Sequence, residues 1–304
     1  MTNVKERIIE LKKKRNAAIL AHYYVTDEVQ EIADHMGDSY YLSVIASQIK
    51  EKVILFCGVY FMAESVKIMN PDKTVLMPDP GADCPMAHMA ATYEIESMRD
   101  KYEDLAVVCY INSTAEIKAH SDVCVTSSNA LKVIRSLPQK NIFFIPDKNL
   151  GRYVSVTIPE KNFIFNDGFC CVHAGIRAED VLDLKKEHPE AKVVTHPECR
   201  EEITGLSDHI GSTSSIIDYV EKCSSEEFIV CTERGIFHEL NKRTSGKCFY
   251  TPSKCTVCMD MKKNTLENVL RALEEPGHEI HVDEEMAAKA LRPLQNMLKY
   301  AKSE

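Results

Sequence analysis

One pattern occurs three times in this sequence and limits the folds it can adopt. Asp34, Asp122 and Asp208 are spaced by 88 and 86 residues, and counting from them aligns the chain with itself. Twelve positions upstream lie His22, Tyr110 and His196; ten upstream lie Tyr24, Asn112 and Glu198; five downstream lie Ser39, Ser127 and Thr213. All nine can hydrogen-bond. Cys84, Cys170 and Cys258 follow at +50, +48 and +50. Repetition at a fixed period is settled before any local assignment, because it dictates the architecture. The chain therefore reads as three copies of one unit of about 87 residues, a comfortable size for a module with its own core. The expected boundaries are residues 1–91, 92–177 and 178–262, with residues 263–304 a helical extension packing back on the modules.

Each unit alternates strand and helix. The apolar runs Ala17 to Ala21, Ala106 to Ile111 and Lys192 to Thr195 fit buried parallel strands. Further runs recur at Val53 to Phe56, Ile142 to Ile145 and Phe228 to Cys231, and again at Thr74 to Met77, Phe163 to Phe165 and Lys247 to Tyr250. Helix-like stretches such as Tyr40 to Ile49 and Ala130 to Leu137 separate them. The expected class is α/β: three repeated α/β modules, three-layer with parallel sheets, in pseudo-three-fold arrangement around a centre. Leu266, Val269, Leu270 and Leu273 keep helical spacing, and a last helix carries Met286, Ala290, Leu294 and Met297, with Pro293 expected to kink or bound it. Asn70-Pro71-Asp72, His188-Pro189 and Glu275-Pro276-Gly277 signal turns.

Charge and hydropathy exclude several functions. A net charge of −9 with scattered basic residues gives no field for nucleic acid. No segment approaches the roughly 20 apolar residues of a membrane helix, and Lys5, Glu6 and Arg7 are not followed by a signal-peptide core. A soluble, cytoplasmic protein is expected. Twelve cysteines without small-domain disulfide spacing then imply reduced thiols, some of them metal ligands.

In open parallel α/β sheets ligands bind beyond the carboxyl ends of the strands. The loops carrying His22, Tyr24, Tyr110, Asn112, His196 and Glu198 follow strands directly, so three modules facing one axis would gather them around one cavity. Gly37-Asp38-Ser39, Thr126-Ser127-Ser128 and Gly211-Ser212-Thr213 each precede a helical stretch, where hydroxyls and free N–H groups hold carboxylate or phosphate. Taken singly each is as well explained as a helix cap; their common register favours substrate binding.

Cys57, Cys109, Cys124 and Cys231 lie in or beside apolar runs and read as small buried residues. Cys84, Cys170 and Cys258 lie in loops with Gly, Pro and Asp, where a thiolate can face an ion. Cys171 competes with Cys170, and Cys255 with Cys258 could be half a zinc site or a redox pair. The repeat favours Cys258 and leaves Cys170 and Cys171 unseparated. A structural zinc site wants four protein ligands, whereas a 4Fe-4S cluster on three thiolates keeps one iron open as a Lewis acid. That points to dehydration or condensation on a small polyanion, with a hydro-lyase of the aconitase kind and a non-catalytic metal sensor as the competing readings.

The chain resembles the quinolinate synthase family essentially end to end. The resemblance is carried by Ala21-His22-Tyr23-Tyr24, Gly37-Asp38-Ser39, Phe61-Met62-Ala63-Glu64, Cys84-Pro85-Met86-Ala87, Tyr110-Ile111-Asn112-Ser113-Thr114, Pro146-Asp147-Lys148-Asn149, Gly168-Phe169-Cys170-Cys171-Val172-His173, His196-Pro197-Glu198-Cys199 and Met261-Lys262-Lys263-Asn264. It implies three modules around a central 4Fe-4S cluster held by Cys84, Cys170 and Cys258, and so selects Cys170 over Cys171. It implies condensation of iminoaspartate with dihydroxyacetone phosphate to quinolinate, with loss of phosphate and two waters. An aspartate oxidase or dehydrogenase would supply the iminoaspartate. Glu198 is then the expected principal base and acid, with Tyr24 and His22 moving protons and Tyr110 and His196 assisting. Ser39, Asn112, Ser127, Ser212 and Thr213 would bind the substrates. Tyr23 stands where the family often has Asn.

Overall fold

The computed structural model describes residues 4–252, 256–275 and 277–302; Cys255 and Pro276 lie outside them. Each repeat builds a four-stranded parallel sheet. The first holds β1 (Ala17–His22), β2 (His35–Gly37), β3 (Val53–Cys57) and β4 (Thr74–Leu76) in the order β2-β1-β3-β4. The second holds β5 (Leu105–Tyr110), β6 (Val123–Val125), β7 (Asn141–Ile145) and β8 (Asn162–Phe165), ordered β6-β5-β7-β8. The third, from β9 (Lys192–Thr195), β10 (His209–Ile210), β11 (Glu227–Cys231) and β12 (Cys248–Tyr250), is ordered β10-β9-β11-β12. All nine strands expected from the apolar runs are present. Central strands such as Ala-Ile-Leu-Ala in β1 and Val-Val-Cys in β5 are buried throughout, which is why their sequences do not alternate.

The strands β2, β6 and β10, one edge of each sheet, were not foreseen: two or three residues carry no readable period, and the equally short β4 and β12 stood out only through the longer apolar runs that contain them. What holds them is the aspartate that marks the repeat. Asp34, Asp122 and Asp208 each accept, at 2.8 Å, the backbone N–H of Ile19, Val107 and Val193 on the neighbouring central strand. Their own N–H groups return bonds to the same residues' carbonyls. Lys12, Arg99 and Lys192 pair with the carboxylates from outside. These aspartates are straps that fix the register of each of these strands.

Strand order reverses beside the first strand of each sheet, opening a crevice at its carboxyl end. The parallel registers Ala21↔Cys57, Cys109↔Ile145 and Thr195↔Cys231 bring the ends of β1 and β3, β5 and β7, and β9 and β11 level. His22, Tyr110 and His196 therefore stand at three equivalent crevices.

Beyond the third sheet, the helix Leu266–Glu274 packs on the helix Val4–Arg15, and Glu284–Lys302 packs across β6 and helices of the first two modules. This last helix runs unbroken through Pro293, against the expected boundary. The ring removes one N–H, but Ala290, Pro293, Leu294 and Met297 are buried together, and packing on both sides of the proline keeps the helix whole. No helix among the described residues is long and apolar enough to cross a membrane.

If the aspartates are straps, Asp122→Ala leaves the Val107 N–H without its side-chain partner and lowers unfolding free energy by about 1–3 kcal/mol. A urea titration should show this shift in midpoint, with the activity per folded molecule unchanged.

Candidate functional site

The three crevices open into one cavity of about 210 Å³. The first module lines it with His22, Tyr24 and Ser39, the second with Tyr110, Asn112 and Ser127, and the third with His196, Glu198 and Thr213. Cys84, Cys170 and Cys258 line it too. All nine residues of the repeat register thus face a common space. Ser212 does not line it: this buried hydroxyl accepts the Ser215 N–H at 3.3 Å as the N-cap of the helix Thr213–Lys222.

A continuous chain of buried polar groups crosses the cavity wall. Glu198 receives the Tyr110 hydroxyl on Oε1 and faces His173 Nδ1 at 2.8 Å with Oε2. His173 Nε2 lies 2.9 Å from the Thr232 hydroxyl, which lies 2.8 Å from the Tyr24 hydroxyl. Tyr24 meets Thr213 at 2.7 Å. Every link joins residues of different modules. His173 and Thr232 were missed by the sequence reasoning; His173 lay inside a quoted motif, but neither sits in the three-fold register that singled out the others.

The protonation states follow from burial. His22 Nδ1 accepts the Tyr24 N–H at 3.2 Å, and His196 Nδ1 accepts the Glu198 N–H at 3.3 Å. Burial lowers His22 to about 4 and His196 to about 3. Both are therefore neutral with the proton on Nε2, which His196 directs toward Ser127 at 3.3 Å. Burial raises Tyr24 and Tyr110 well above the ordinary phenol range, Tyr110 further through the Glu198 charge. Burial also works to raise Glu198, but His173, His196 and the Tyr110 hydroxyl outweigh it and hold the carboxyl below its usual range. The Glu198 carboxylate thus faces the Tyr110 hydroxyl in a wall that also carries the neutral imidazoles of His22 and His196 and the acids Asp38 and Glu233.

Two polar atoms on the cavity, Asn112 Oδ1 and Thr126 Oγ1, are buried with no hydrogen-bond partner in the structure. No lysine or arginine is among the described residues lining it; Lys262, close by, is engaged by Glu233 at 3.1 Å and by the Tyr24 carbonyl.

The thiols are free. Burial raises all three, Cys258 to about 11, and Cys84 is pushed further by Cys258 and Glu198. Cys170, His173 and Glu198 bring donor atoms within 4.8 Å of one another, a set able to hold a metal ion. Cys57, Cys109, Cys124 and Cys231 are buried in strands, as their sequence surroundings suggested.

The NadA family model, described as quinolinate synthetase A protein, matches residues 6–299. The chain belongs to the quinolinate synthase family. A quinolinate synthase of Fusobacterium nucleatum is 54% identical over 298 residues, covering 98% of this chain and 99% of its own length. Those of Clostridioides difficile and Caldicellulosiruptor saccharolyticus are 51% and 49% identical over 295 residues, each covering 97% of both chains. Against the family pattern, the Tyr23 substitution leaves the cavity alone: Tyr23 is buried, does not line it, and hydrogen-bonds Ser214.

His22 makes stability depend on pH. Its folded pKa of about 4 lies below the unfolded value near 6.5, so the unfolded chain binds a proton that the native state refuses. Stability is full above pH 6.5 and falls as pH drops toward 4, by about 3 kcal/mol from this group. Melting temperatures from pH 7 to 5 should decline less steeply in His22→Asn than in the wild type.

Proposed function

We propose that this protein is a quinolinate synthase, condensing iminoaspartate with dihydroxyacetone phosphate to quinolinate with loss of phosphate and two waters, as a cytoplasmic step of NAD biosynthesis. An oxidase or dehydrogenase acting on aspartate would supply the iminoaspartate. The observation that carries the reading is the buried hydrogen-bonded line from Glu198 through His173 and Thr232 to Tyr24, set on a cavity of small-molecule size in a chain of this family.

The donor set fits a 4Fe-4S cluster on Cys84, Cys170 and Cys258. Three thiols, one from each module, face one cavity, Cys170 with its Sγ 3.2 Å from His173 Nδ1 and Cys171 beside it, and burial and mutual repulsion oppose their ionisation until a cation arrives. The cavity must also receive two carboxylates and a phosphate, and a cation held by the three thiols would place positive charge on a wall where no lysine or arginine stands among the described residues. Such a cluster supplies an iron with an open position, a Lewis acid for substrate nitrogen and oxygen and for a departing hydroxyl.

Glu198, held as the carboxylate, would take a proton from substrate and return it to a leaving hydroxyl, while Tyr24, kept protonated by its burial, would donate to substrate oxygen. His173 and Thr232, hydrogen-bonded in line between them, orient both groups. The Nε2–H groups of His22 and His196, with Ser39, Ser127 and Thr213, donate to substrate oxygens, and the unpaired Asn112 Oδ1 accepts from a substrate N–H or O–H. Ser212 acts in this scheme through the helix it caps.

Anaerobically reconstituted protein should form quinolinate only when both substrates are present; a protein with a full cluster and no product under those conditions would overturn the reading. Glu198→Gln should lose at least about 100-fold in kcat while keeping cluster absorbance, because it removes the base and breaks the hydrogen-bonded line. Normal turnover would remove Glu198 from its role.

A further inference from the structure

The three modules hold their cysteines unequally, and the difference lies two residues beyond the strand that pairs with the first strand of each sheet on its inner side. There, past β3, β7 and β11, stand Val59, Asp147 and Glu233. Asp147 Oδ1 caps the helix Lys148–Thr157 by accepting Asn149 and Leu150 N–H at 2.8 Å, while Oδ2 accepts the Cys170 N–H at 3.2 Å. Glu233 repeats the arrangement, accepting Gly235 N–H at 2.6 Å on Oε2 and Cys258 N–H at 3.2 Å on Oε1. Both carboxylates are buried, 0% and 1% exposed.

The backbone is shaped for these contacts. A Cβ on Gly168 would lie 2.6 Å from the Pro146 carbonyl, and one on Gly235 would lie 2.7 Å from the Glu233 carboxylate. Glycine at both places lets each loop close on its acid. Val59 offers no acceptor. In the first module the Cys84 N–H turns instead to Asp83, its own neighbour in sequence, whose half-exposed side chain also holds His88.

We propose that Asp147 and Glu233 are positioning residues that clamp the Cys170 and Cys258 loops before a cluster binds, leaving Cys84 on the adaptable arm. The proposal rests on the reading of the three cysteines as cluster ligands. A carboxylate tied at once to the strand end and to the cysteine N–H fixes the direction of the thiol, which lowers the ordering that binding would otherwise require. The first module, lacking that tie, can adjust to an incoming cluster and is the arm from which it would leave.

Asp147→Asn and Glu233→Gln test this with little change of shape. Asparagine still caps the helix through its oxygen but turns an N–H₂ toward the Cys170 N–H, so the clamp is lost together with a charge that opposes ionisation of the thiol, and the exchange of the cysteine amides separates the two effects. In cluster-free protein, iodoacetamide mapped by mass spectrometry should label Cys170 at least about tenfold faster in Asp147→Asn and Cys258 in Glu233→Gln, each without effect on the other. In reconstituted protein both variants should lose iron to a chelator faster than the wild type by a similar factor. Hydrogen exchange of the cluster-free wild type needs no variant: the Cys170 and Cys258 amides should exchange at least about tenfold more slowly than Cys84. Equal exchange at the three amides, or unchanged labelling in folded variants, would overturn the clamp. A wild type that takes up neither iron nor sulfide would overturn the cluster reading instead, and the proposal with it.

Discussion

The arrangement turns on one buried carboxylate. Glu198 belongs to the third module, yet both oxygens are held by the second, through Tyr110 and His173, and its carbonyl receives Asn149 Nδ2 at 3.2 Å. A charge buried this deeply is tolerated only when its partners are all in place. The junction between modules and the buried Glu198 carboxylate on the cavity are therefore the same object: displacing either module by an ångström would strand the carboxylate. Ser128 donating to Asp38 and Tyr24 meeting Thr213 close the other two seams in the same space. The modules are joined by the chemistry they share as well as by the apolar core beneath it.

The repeat encodes two layers with different tolerance for change. The aspartate straps recur unchanged because each does the same work at the far end of each sheet, pairing a strand N–H whatever the module is for. At the carboxyl ends the same register carries His22, Tyr110 and His196, or Tyr24, Asn112 and Glu198, each meeting different neighbours from the other modules around the shared cavity. Scaffold positions stay alike while site positions diverge in type and remain equal in place.

That distinction explains what the sequence could reveal. The nine registered residues and three cysteines were legible because position alone marked them, and the strand runs because buried parallel strands are continuously apolar. His173, Thr232, Asp147 and Glu233 were not, since each needs a partner from another loop whose approach only the folded chain defines. The short strands β2, β6 and β10 escaped because their stability resides in a side-chain strap and not in their own residues. Ser212 was overread: a hydroxyl before a helix has two uses, and here its geometry satisfies the helix.

Electrostatics connects these observations. The cavity is walled by Asp38, Glu198 and Glu233, without lysine or arginine among the described lining residues. Neutral donors can orient an anion, but they cannot offset its desolvation next to a fixed carboxylate. Holding His22 and His196 neutral is the reverse of what a purely ionic site would do, and it preserves N–H donors whose strength does not vary with pH near neutrality. The missing positive charge then falls to whatever the three thiols bind. A cation on those thiols would offset the carboxylates of the wall, while His22 and His196 would orient whatever binds beside it through N–H groups that keep their proton across neutral pH.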